Sequence, residues 1–162
     1  AFFLASDRAD VPYMKLLLEL GADPHIPNNQ GTTAFLAAAG VGSWAPEEEA
    51  GNEAECLKAT KLIVSLGVDI NMVDSNGETA MHGAALKNIP SMVYYLDELG
   101  SDINIWNSKN DDGWTPLLIA QGYRPGNFKP SFETVEAIIE VMARHGVEPP
   151  SGPKPNHTNY AN

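Results

Sequence analysis

A phrase that returns after 33 residues constrains this chain more than any other feature. Gly67-Val-Asp-Ile-Asn71 is nearly copied by Gly100-Ser-Asp-Ile-Asn104, which places the two glycines 33 positions apart. A period of about 20 to 50 residues indicates stacked repeats, because one supersecondary unit cannot bury its apolar face alone. The sequence therefore predicts a solenoid in which residues 67–104 span one complete repeat.

The residues of this repeat predict a turn followed by two helices. Asp74-Ser-Asn-Gly77 is a tight-turn sequence, since Asn and Gly tolerate a positive φ at low cost. Thr79 is a suitable N-cap for a short apolar helix over residues 80–86. Pro90 then predicts the first turn of a second helix, which we expect to end at Gly100.

The first helix and the closing phrase resemble those of a known family. Gly77-Glu-Thr-Ala-Met-His-Gly-Ala-Ala85 is similar to the G-x-T-P-L-H-x-A-A core of the ankyrin repeat, with Ala80 replacing proline and Met81 replacing leucine. Leu99-Gly-Ser-Asp-Ile-Asn104 resembles the family's closing phrase. The resemblance implies an all-α ankyrin repeat solenoid, with a β-hairpin or turn plus two antiparallel helices per repeat. It also implies that His82 orders the turn by hydrogen bonding.

The rest of the chain divides into about four repeats of this kind. We expect them at residues 1–27, which form a truncated repeat, and at residues 28–73, 74–106 and 107–146. The closing glycines Gly21 and Gly67 are 46 positions apart, as are Gly100 and Gly146, so the second and fourth repeats carry long insertions. Such insertions decorate one edge of a solenoid, and we expect most of the extra residues between the two helices of each repeat.

Both ends of the chain depart from the repeat pattern. The chain begins inside a repeat, and Phe2, Phe3 and Leu4 do not supply the polar outer face that a terminal repeat needs. We therefore expect further ankyrin repeats or another domain before residue 1, and Ala1 gives no information about targeting or location. Residues 147–162 are rich in proline without apolar periodicity, which predicts an extended or disordered tail.

Charge and residue usage narrow the possible partners. The chain has 10 Lys and Arg against 21 Asp and Glu, a net charge of −11, which argues against a nucleic-acid partner. A partner that is steered by charge should be basic. No apolar run approaches the roughly 20 residues of a membrane span. The single cysteine, Cys56, excludes an internal disulfide and a cysteine-rich zinc site.

No motif in the chain indicates catalysis. Gly40-Val-Gly-Ser-Trp-Ala45 fits a loose dinucleotide fingerprint, but it follows an alanine-rich helix instead of a buried strand. The four histidines lie far apart and lack the spacing of zinc ligands. The acidic run at residues 47–49 is typical of a solvated face, and Pro46 before it suggests a helical first turn. We predict a non-enzymatic protein without a cofactor or a metal.

The predicted function, as the resemblance implies, is protein binding through the hairpin tips and the concave first-helix face. The alternative is a structural or targeting module of a larger protein whose activity lies in other sequence. A ligand or metal site built by the insertions is a further possibility. The predicted partner-binding residues are Trp114, Trp106, Asp111, Asp112, Glu78, Ser75, Asn76, Asn29, Gln30, Thr32, Lys87 and Tyr123.

Aromatic residues carry most of this site prediction. Trp114 occupies the variable position of the motif and is expected to project from the hairpin, while Trp106 lies in a lengthened hairpin. An exposed aromatic at an interface contributes on the order of 2 kcal/mol to binding. Trp44, Tyr123 and Phe128 lie in the inter-helix insertions, where either partner binding or burial against the solenoid accounts for them.

Overall fold

The computed structural model describes residues 1–46, 48–124 and 129–151, and its helices follow one another in pairs. The helices are α1 (Phe2–Asp7), α2 (Val11–Glu19), α3 (Ala34–Ala38), α4 (Glu53–Val64), α5 (Ala80–Leu86), α6 (Pro90–Glu98), α7 (Ile103–Trp106), α8 (Pro116–Ala120) and α9 (Phe132–Arg144). Within the described ranges there is no β-strand, so the all-α prediction is confirmed and the hairpins are turns.

The first helix of each complete repeat begins at a threonine. The side chains of Thr33, Thr79 and Thr115 each accept a hydrogen bond from the backbone N–H three residues further along. Such a cap satisfies one of the N–H groups that a helix start leaves without a partner. The predicted role of Thr79 is therefore confirmed, and the same device occurs in its neighbours.

The second helices of the last three repeats begin at a capping side chain or at a proline. Asn52 and Glu55 form a reciprocal capping box at α4, and the Ser131 side chain accepts a hydrogen bond from the Thr134 N–H at α9. Pro90 occupies the first position of α6. Gly100, with a φ of 81°, follows that helix in the left-handed conformation that glycine adopts cheaply.

The helices form two layers that share one core. The first helices α1, α3, α5 and α8 pack side by side, and the second helices α2, α4, α6 and α9 pack in the same order. Small residues allow the close approach between repeats, because a Cβ on Gly83 would lie 2.6 Å from the Val41 nitrogen. The stack places the turns of successive repeats next to one another.

For the described residues after Pro46, the expectation of a helical first turn is wrong. Residues 48–50 lie in turns and bends, and Glu47 lies outside the described residues. The carboxylate of Glu49 instead accepts hydrogen bonds from the Ser43 hydroxyl and from the N–H groups of Trp44, at 2.7 Å, and Ala45, at 3.0 Å. These bonds fold the segment back on itself, which competes with helix formation.

Residues 147–151 have no regular secondary structure, and the remainder of the predicted tail lies outside the described residues. In the part of the chain that the structure describes, no helix has the length and apolar character needed to cross a membrane.

Candidate functional site

The turns of the second, third and fourth repeats share one hydrogen-bond pattern. The Asp74 N–H donates to the Glu78 carbonyl, and Asp74 Oδ1 accepts from the N–H groups of Asn76 and Glu78, each bond being 3.0 Å long. Asn28 and Asn110 make corresponding bonds within their own turns. Each turn is therefore closed by an Asp or Asn side chain, which fixes the conformation of its tip.

Hydrogen bonds also join the tip of each turn to the next. The Ser75 N–H and hydroxyl donate to the Gln30 carbonyl at 2.9 and 2.7 Å. The Asp111 N–H donates to the Asn76 carbonyl at 2.9 Å. The three turns thus form a continuous row of exposed polar groups along the first-helix side of the stack, and we call this row the turn-tip row, from Asn29 to Asp112.

His82 supports the turn-tip row from below. Its Nδ1 accepts a hydrogen bond from the Thr79 N–H at 3.2 Å, and its Nε2 donates to the carbonyl oxygens of Ser108 and Trp114 at 3.1 and 3.2 Å. Burial lowers the pKa of His82 to about 4, although the hydrogen bonds to the two carbonyls oppose this shift. The ring is therefore neutral near pH 7, and its predicted structural role is confirmed.

Trp114 does not project from the hairpin, and this expectation is wrong. Trp106, which the sequence predicts in a hairpin and at the binding site, is also buried. Trp106 ends the short helix α7, which packs against α5, and only 2% of it is exposed. Trp114 is 7% exposed and belongs to the hydrophobic core, while its N–H and carbonyl are both bonded to Asn110 within the turn. Burying a large aromatic ring stabilises the fold strongly, which outweighs presenting it to a partner. Both residues belong to the core.

Thr32 and Lys87 also have structural partners within the chain. Thr32 is 4% exposed, and its hydroxyl donates to Asp74 Oδ2 at 2.9 Å, so it lies beneath the turn tips instead of on them. Lys87 Nζ donates to the Ala50 carbonyl at 2.7 Å, which ties the second-repeat insertion to α5. Thr32 is therefore not available to a partner, and Lys87 lies away from the turn tips.

The two inter-helix segments contact each other across the third repeat. The guanidinium of Arg124, from the fourth repeat, donates a hydrogen bond to the Ser43 carbonyl of the second repeat. It also lies over the Trp44 ring, 5.3 Å from the ring centroid. Trp44 is nevertheless 69% exposed, whereas Tyr123 is half-buried and packs against the core. Phe128 lies outside the described residues.

These contacts enclose a cleft between the insertions and the turn-tip row. The cleft has a volume of about 290 Å³, and its walls come from three sources. The turns contribute Gln30, Asn76, Glu78, Asn110, Asp111, Asp112 and Trp114; the insertions contribute Gly42, Ser43, Trp44 and Arg124; the first helices contribute Leu86 and Ile119. We call this space the bridged cleft.

Among the described residues that line the bridged cleft, three of the four charged side chains are acidic. Asp111 and Asp112 are exposed, while burial raises the pKa of Glu78, whose carboxylate accepts a hydrogen bond from Asn110 Nδ2 at 3.1 Å. Burial lowers the pKa of Arg124, an effect that the nearby carboxylates of Glu78, Glu49 and Asp112 oppose. An arginine retains its charge even so, because its ordinary pKa lies far above neutral pH. The cleft therefore contains three carboxyl groups and one guanidinium.

The structure brings about half of the predicted binding residues together. Gln30, Asn76, Glu78, Asp111, Asp112 and Trp114 line the bridged cleft, and Asn29 and Ser75 are exposed on the turn tips beside it. Sequence reasoning missed Asn110 and Arg124. The signal for Asn110 was present, because it occupies the turn position that Asp74 holds in the third repeat. Arg124 lies in an insertion without periodicity, so no comparable signal marked it.

A sequence model of ankyrin repeats, described as three copies, matches residues 48–149, which is more than half of the chain. The chain belongs to the ankyrin repeat family. Ankyrin repeats are generally protein–protein interaction modules and are generally not enzymes. The turn-tip row and the paired helix layers described above are thus those of an ankyrin solenoid.

Several viral ankyrin repeat proteins are similar to this chain. Ankyrin repeat protein 14 of Vaccinia virus (strain Western Reserve) is 46% identical over 52 residues, which is 32% of this chain and 21% of the relative. FPV230 of Fowlpox virus (strain NVSL) is 36% identical over 119 residues, 74% of this chain and 55% of the relative. L91 of Acanthamoeba polyphaga mimivirus is 27% identical over 147 residues, 88% of this chain and 21% of the relative. The chain spans between about a fifth and about half of the length of these proteins.

Proposed function

We propose that this ankyrin repeat chain binds a partner protein through the turn-tip row and the first-helix face beside it. The observation that carries the proposal is the set of hydrogen bonds that joins Gln30 to Ser75 and Asn76 to Asp111. These bonds hold exposed polar groups of three repeats in one arrangement before any partner arrives. A surface that is already ordered loses less conformational entropy on binding, which favours its use as an interface.

The contrast with the other layer supports this choice of surface. Glu98 and Glu136 on the second helices α6 and α9 are exposed, but no chain of hydrogen bonds among the described residues orders them into a row. Asp111 and Asp112 belong to an ordered turn and border the bridged cleft. Asp111 and Asp112 are therefore presented by an ordered turn. Glu98 and Glu136 lie outside the ion pairs by which Arg144 joins Asp97 to Glu140.

Affinity capture with two charge-matched variants tests this proposal. One variant carries Asp111→Ala and Asp112→Ala, and the control carries Glu98→Ala and Glu136→Ala, so both lose two negative charges. The turn-tip variant should lose the proteins that the wild type retains, while the control should keep them. Equal retention by both variants, with unchanged circular dichroism, would contradict the proposed surface.

A second candidate function is that of a structural module within a longer solenoid. Tyr13 and Leu16 on α2 and Leu20 directly after it follow one another at helical spacing and are 46%, 46% and 74% exposed. When the closing glycines are aligned, Tyr13 corresponds to Met92 on α6, which is fully buried, and α6 packs against the second helix of the preceding repeat, α4. We infer that this exposed apolar face is where another helical unit stacks.

A fusion experiment tests the stacking candidate. An additional ankyrin repeat placed before residue 1 should raise the midpoint of thermal unfolding, because it covers the apolar face of α2. Leu16→Glu with Leu20→Glu should abolish that increase. Two independent unfolding transitions in the fusion would show that the face does not accept a neighbouring repeat.

A further inference from the structure

The bridged cleft differs from the rest of the turn-tip row because an exposed aromatic ring stands beside it. Trp44 is 69% exposed although its neighbours Ser43 and Val41 are buried. Its backbone N–H is bonded to the Glu49 carboxylate at 2.7 Å, so the segment that carries the ring is held in place. The backbone that carries the indole is therefore held in place, and the ring itself is contacted by Arg124.

The chain itself shows which chemical group this ring accepts. The Arg124 guanidinium lies over the Trp44 ring at 5.3 Å from its centroid and reaches the Ser43 carbonyl. A cation over the face of an indole is attracted by the negative potential of the ring. The planar guanidinium also stacks on aromatic faces more readily than the ammonium of lysine. The contact within the chain is thus an example of arginine recognition by this surface.

The charges around the cleft favour a second cation. Asp111 and Asp112 are exposed on the turn of the fourth repeat, and Glu78 adds a third carboxyl group on the wall. Arg124 is the opposing positive charge in that lining. An anionic ligand would meet repulsion from the carboxylates, and an apolar ligand would have to remove water from them at a cost in free energy. The net charge of −11 for the whole chain also attracts basic segments.

The volume limits the size of what can enter. At about 290 Å³ the bridged cleft lies at the lower end of the range of about 300 to 1,000 Å³ for small-molecule pockets. It can hold one or two long side chains but not a helix. An extended segment that passes along the turn tips and inserts one side chain fits these dimensions.

We propose that the bridged cleft binds an arginine side chain from an extended basic segment of the partner protein. Its guanidinium stacks on the part of the exposed Trp44 ring that Arg124 leaves uncovered, and Asp111 and Asp112 pair with it. This inference rests on the proposed function, since it names the chemistry of a partner for the same surface. Both oxygens of a carboxylate match the fork of a guanidinium, which makes arginine a better occupant than lysine.

A pair of synthetic peptides tests the inference. The probe is a fluorescein-labelled decapeptide of Gly and Ser with two arginines, and its control replaces both arginines with citrulline, which has nearly the same shape without the charge. Fluorescence polarisation at low ionic strength, where charge pairing is not screened, measures binding to the full chain. The arginine peptide should bind at least tenfold more tightly than the citrulline peptide.

Variants of the chain locate that binding. Trp44→Ala should weaken binding of the arginine peptide at least fivefold. Trp44→Phe, which keeps an aromatic face for Arg124 and for the peptide, should weaken it less. Asp111→Asn with Asp112→Asn should weaken it about as much as Trp44→Ala does, while Glu98→Gln with Glu136→Gln, which removes the same charge elsewhere, should change it less than twofold.

Equal binding of the two peptides, or loss of affinity in the Glu98 and Glu136 variant as large as that in the Asp111 and Asp112 variant, would overturn the inference. Its failure is distinct from failure of the proposed function. If protein capture depends on Asp111 and Asp112 while the arginine and citrulline peptides bind alike, the docking surface stands and the arginine preference falls. If capture is insensitive to these residues while the arginine peptide still requires Trp44, the docking proposal falls.

Discussion

The guanidinium of Arg124 lies 5.3 Å from the centroid of the Trp44 ring, although the two residues belong to different repeats. The same guanidinium donates a hydrogen bond to the Ser43 carbonyl. Two irregular segments that interrupt the repeat pattern therefore support each other, and the bridged cleft depends on their contact. The described residues Ser43, Trp44 and Arg124 of these segments therefore form one joined surface.

Arg124→Gln should loosen the second-repeat insertion without unfolding the protein. We expect faster amide hydrogen exchange at residues 41–45, because the contacts with Ser43 and Trp44 are lost. The free energy of unfolding should change by no more than about 1 kcal/mol, which is typical of partly exposed cation–π and ionic contacts. Arg144→Gln is the matched control, since Arg144 lies over the Tyr94 ring at 5.4 Å and is remote from the cleft. Unchanged exchange at residues 41–45 in the Arg124 variant would contradict the proposed contact.

Glu49 should make the same insertion sensitive to acid. Burial opposes ionisation of its carboxyl group, but hydrogen bonds from Ser43, Trp44 and Ala45 outweigh that effect and hold its pKa below the ordinary 4.5. A lowered pKa in the folded state gives stability that is present above about pH 4.5 and is lost as the pH falls further. The amide signals of Trp44 and Ala45 in NMR spectra should therefore shift together with an acidic midpoint below 4.5.

Glu49→Gln should reproduce the acid form of the insertion at neutral pH. Its amide signals at Trp44 and Ala45 should resemble those of the wild type at low pH and should not titrate. Signals that still move with the wild-type midpoint would show that another group controls the segment.

His82 should set a pH dependence of global stability. Its pKa is lowered from 6.5 to about 4 in the folded protein, so the unfolded chain binds a proton more readily than the native state does. Stability is therefore complete above pH 6.5 and falls as the pH decreases toward 4, by up to about 3 kcal/mol for a shift of this size. Urea unfolding of the wild type and of His82→Gln measures this effect.

Comparison with His82→Gln separates the effect of His82 from the effects of the other groups that titrate in this pH range. His82→Gln should be less stable at pH 7, because the hydrogen bonds to Thr79, Ser108 and Trp114 are altered. The difference in unfolding free energy between the two proteins should shrink from pH 6.5 to pH 4. A constant difference across that range would show that His82 does not remain neutral in the folded state.

Gly83→Ala should destabilise the protein even though alanine favours helices. A Cβ at this position would lie 2.6 Å from the Val41 nitrogen and 3.0 Å from the Ala39 carbonyl, so the second and third repeats would have to separate. We expect a loss of at least about 2 kcal/mol from such overpacking, against a gain of about 1 kcal/mol from helix propensity alone. Thermal or urea unfolding shows whether the substitution lowers or raises the free energy of unfolding.

Gly67→Ala is a suitable comparison for this variant. Gly67 has a φ of 82°, and a Cβ added to it would meet no atom within 4 Å, so alanine introduces backbone strain but no steric clash. The expected cost is about 1 kcal/mol. A Gly83→Ala protein that is as stable as the wild type would contradict the close packing of the two repeats.

The repeat pattern of the sequence is sufficient to predict the helices, whereas the irregular residues are not predictable in the same way. Thr79, Asn52 and Ser131 act as the caps that their local sequences indicate, because capping depends on residues only a few positions apart. The contact of Arg124 with Trp44 joins two insertions that have no common period. Local patterns contain no information about such a contact.

Trp114 shows where the family pattern is misleading. Its variable position in the motif suggests an outward side chain, but the ring is 7% exposed and lines the bridged cleft. The pattern specifies the backbone turn that Asn110 closes, and it leaves the direction of the side chain to packing. Trp106 differs from expectation for a related reason, since Asp102 caps the short helix α7 within a segment whose sequence suggests a hairpin.

Site-specific photo-crosslinking tests the central claim, docking on the turn-tip row, most directly. A photoreactive amino acid replaces either Asn29, exposed on the turn-tip row, or Glu136, exposed on the second-helix layer. The proposed function predicts a defined protein adduct from position 29 and no such adduct from position 136. An excess of unlabelled wild-type chain should suppress the adduct from position 29, whereas an excess of the Asp111→Ala, Asp112→Ala variant should not. Docking on the turn-tip row would be contradicted if position 136 gave an adduct as strong as that from position 29. It would also be contradicted if the variant suppressed the adduct as effectively as the wild type does.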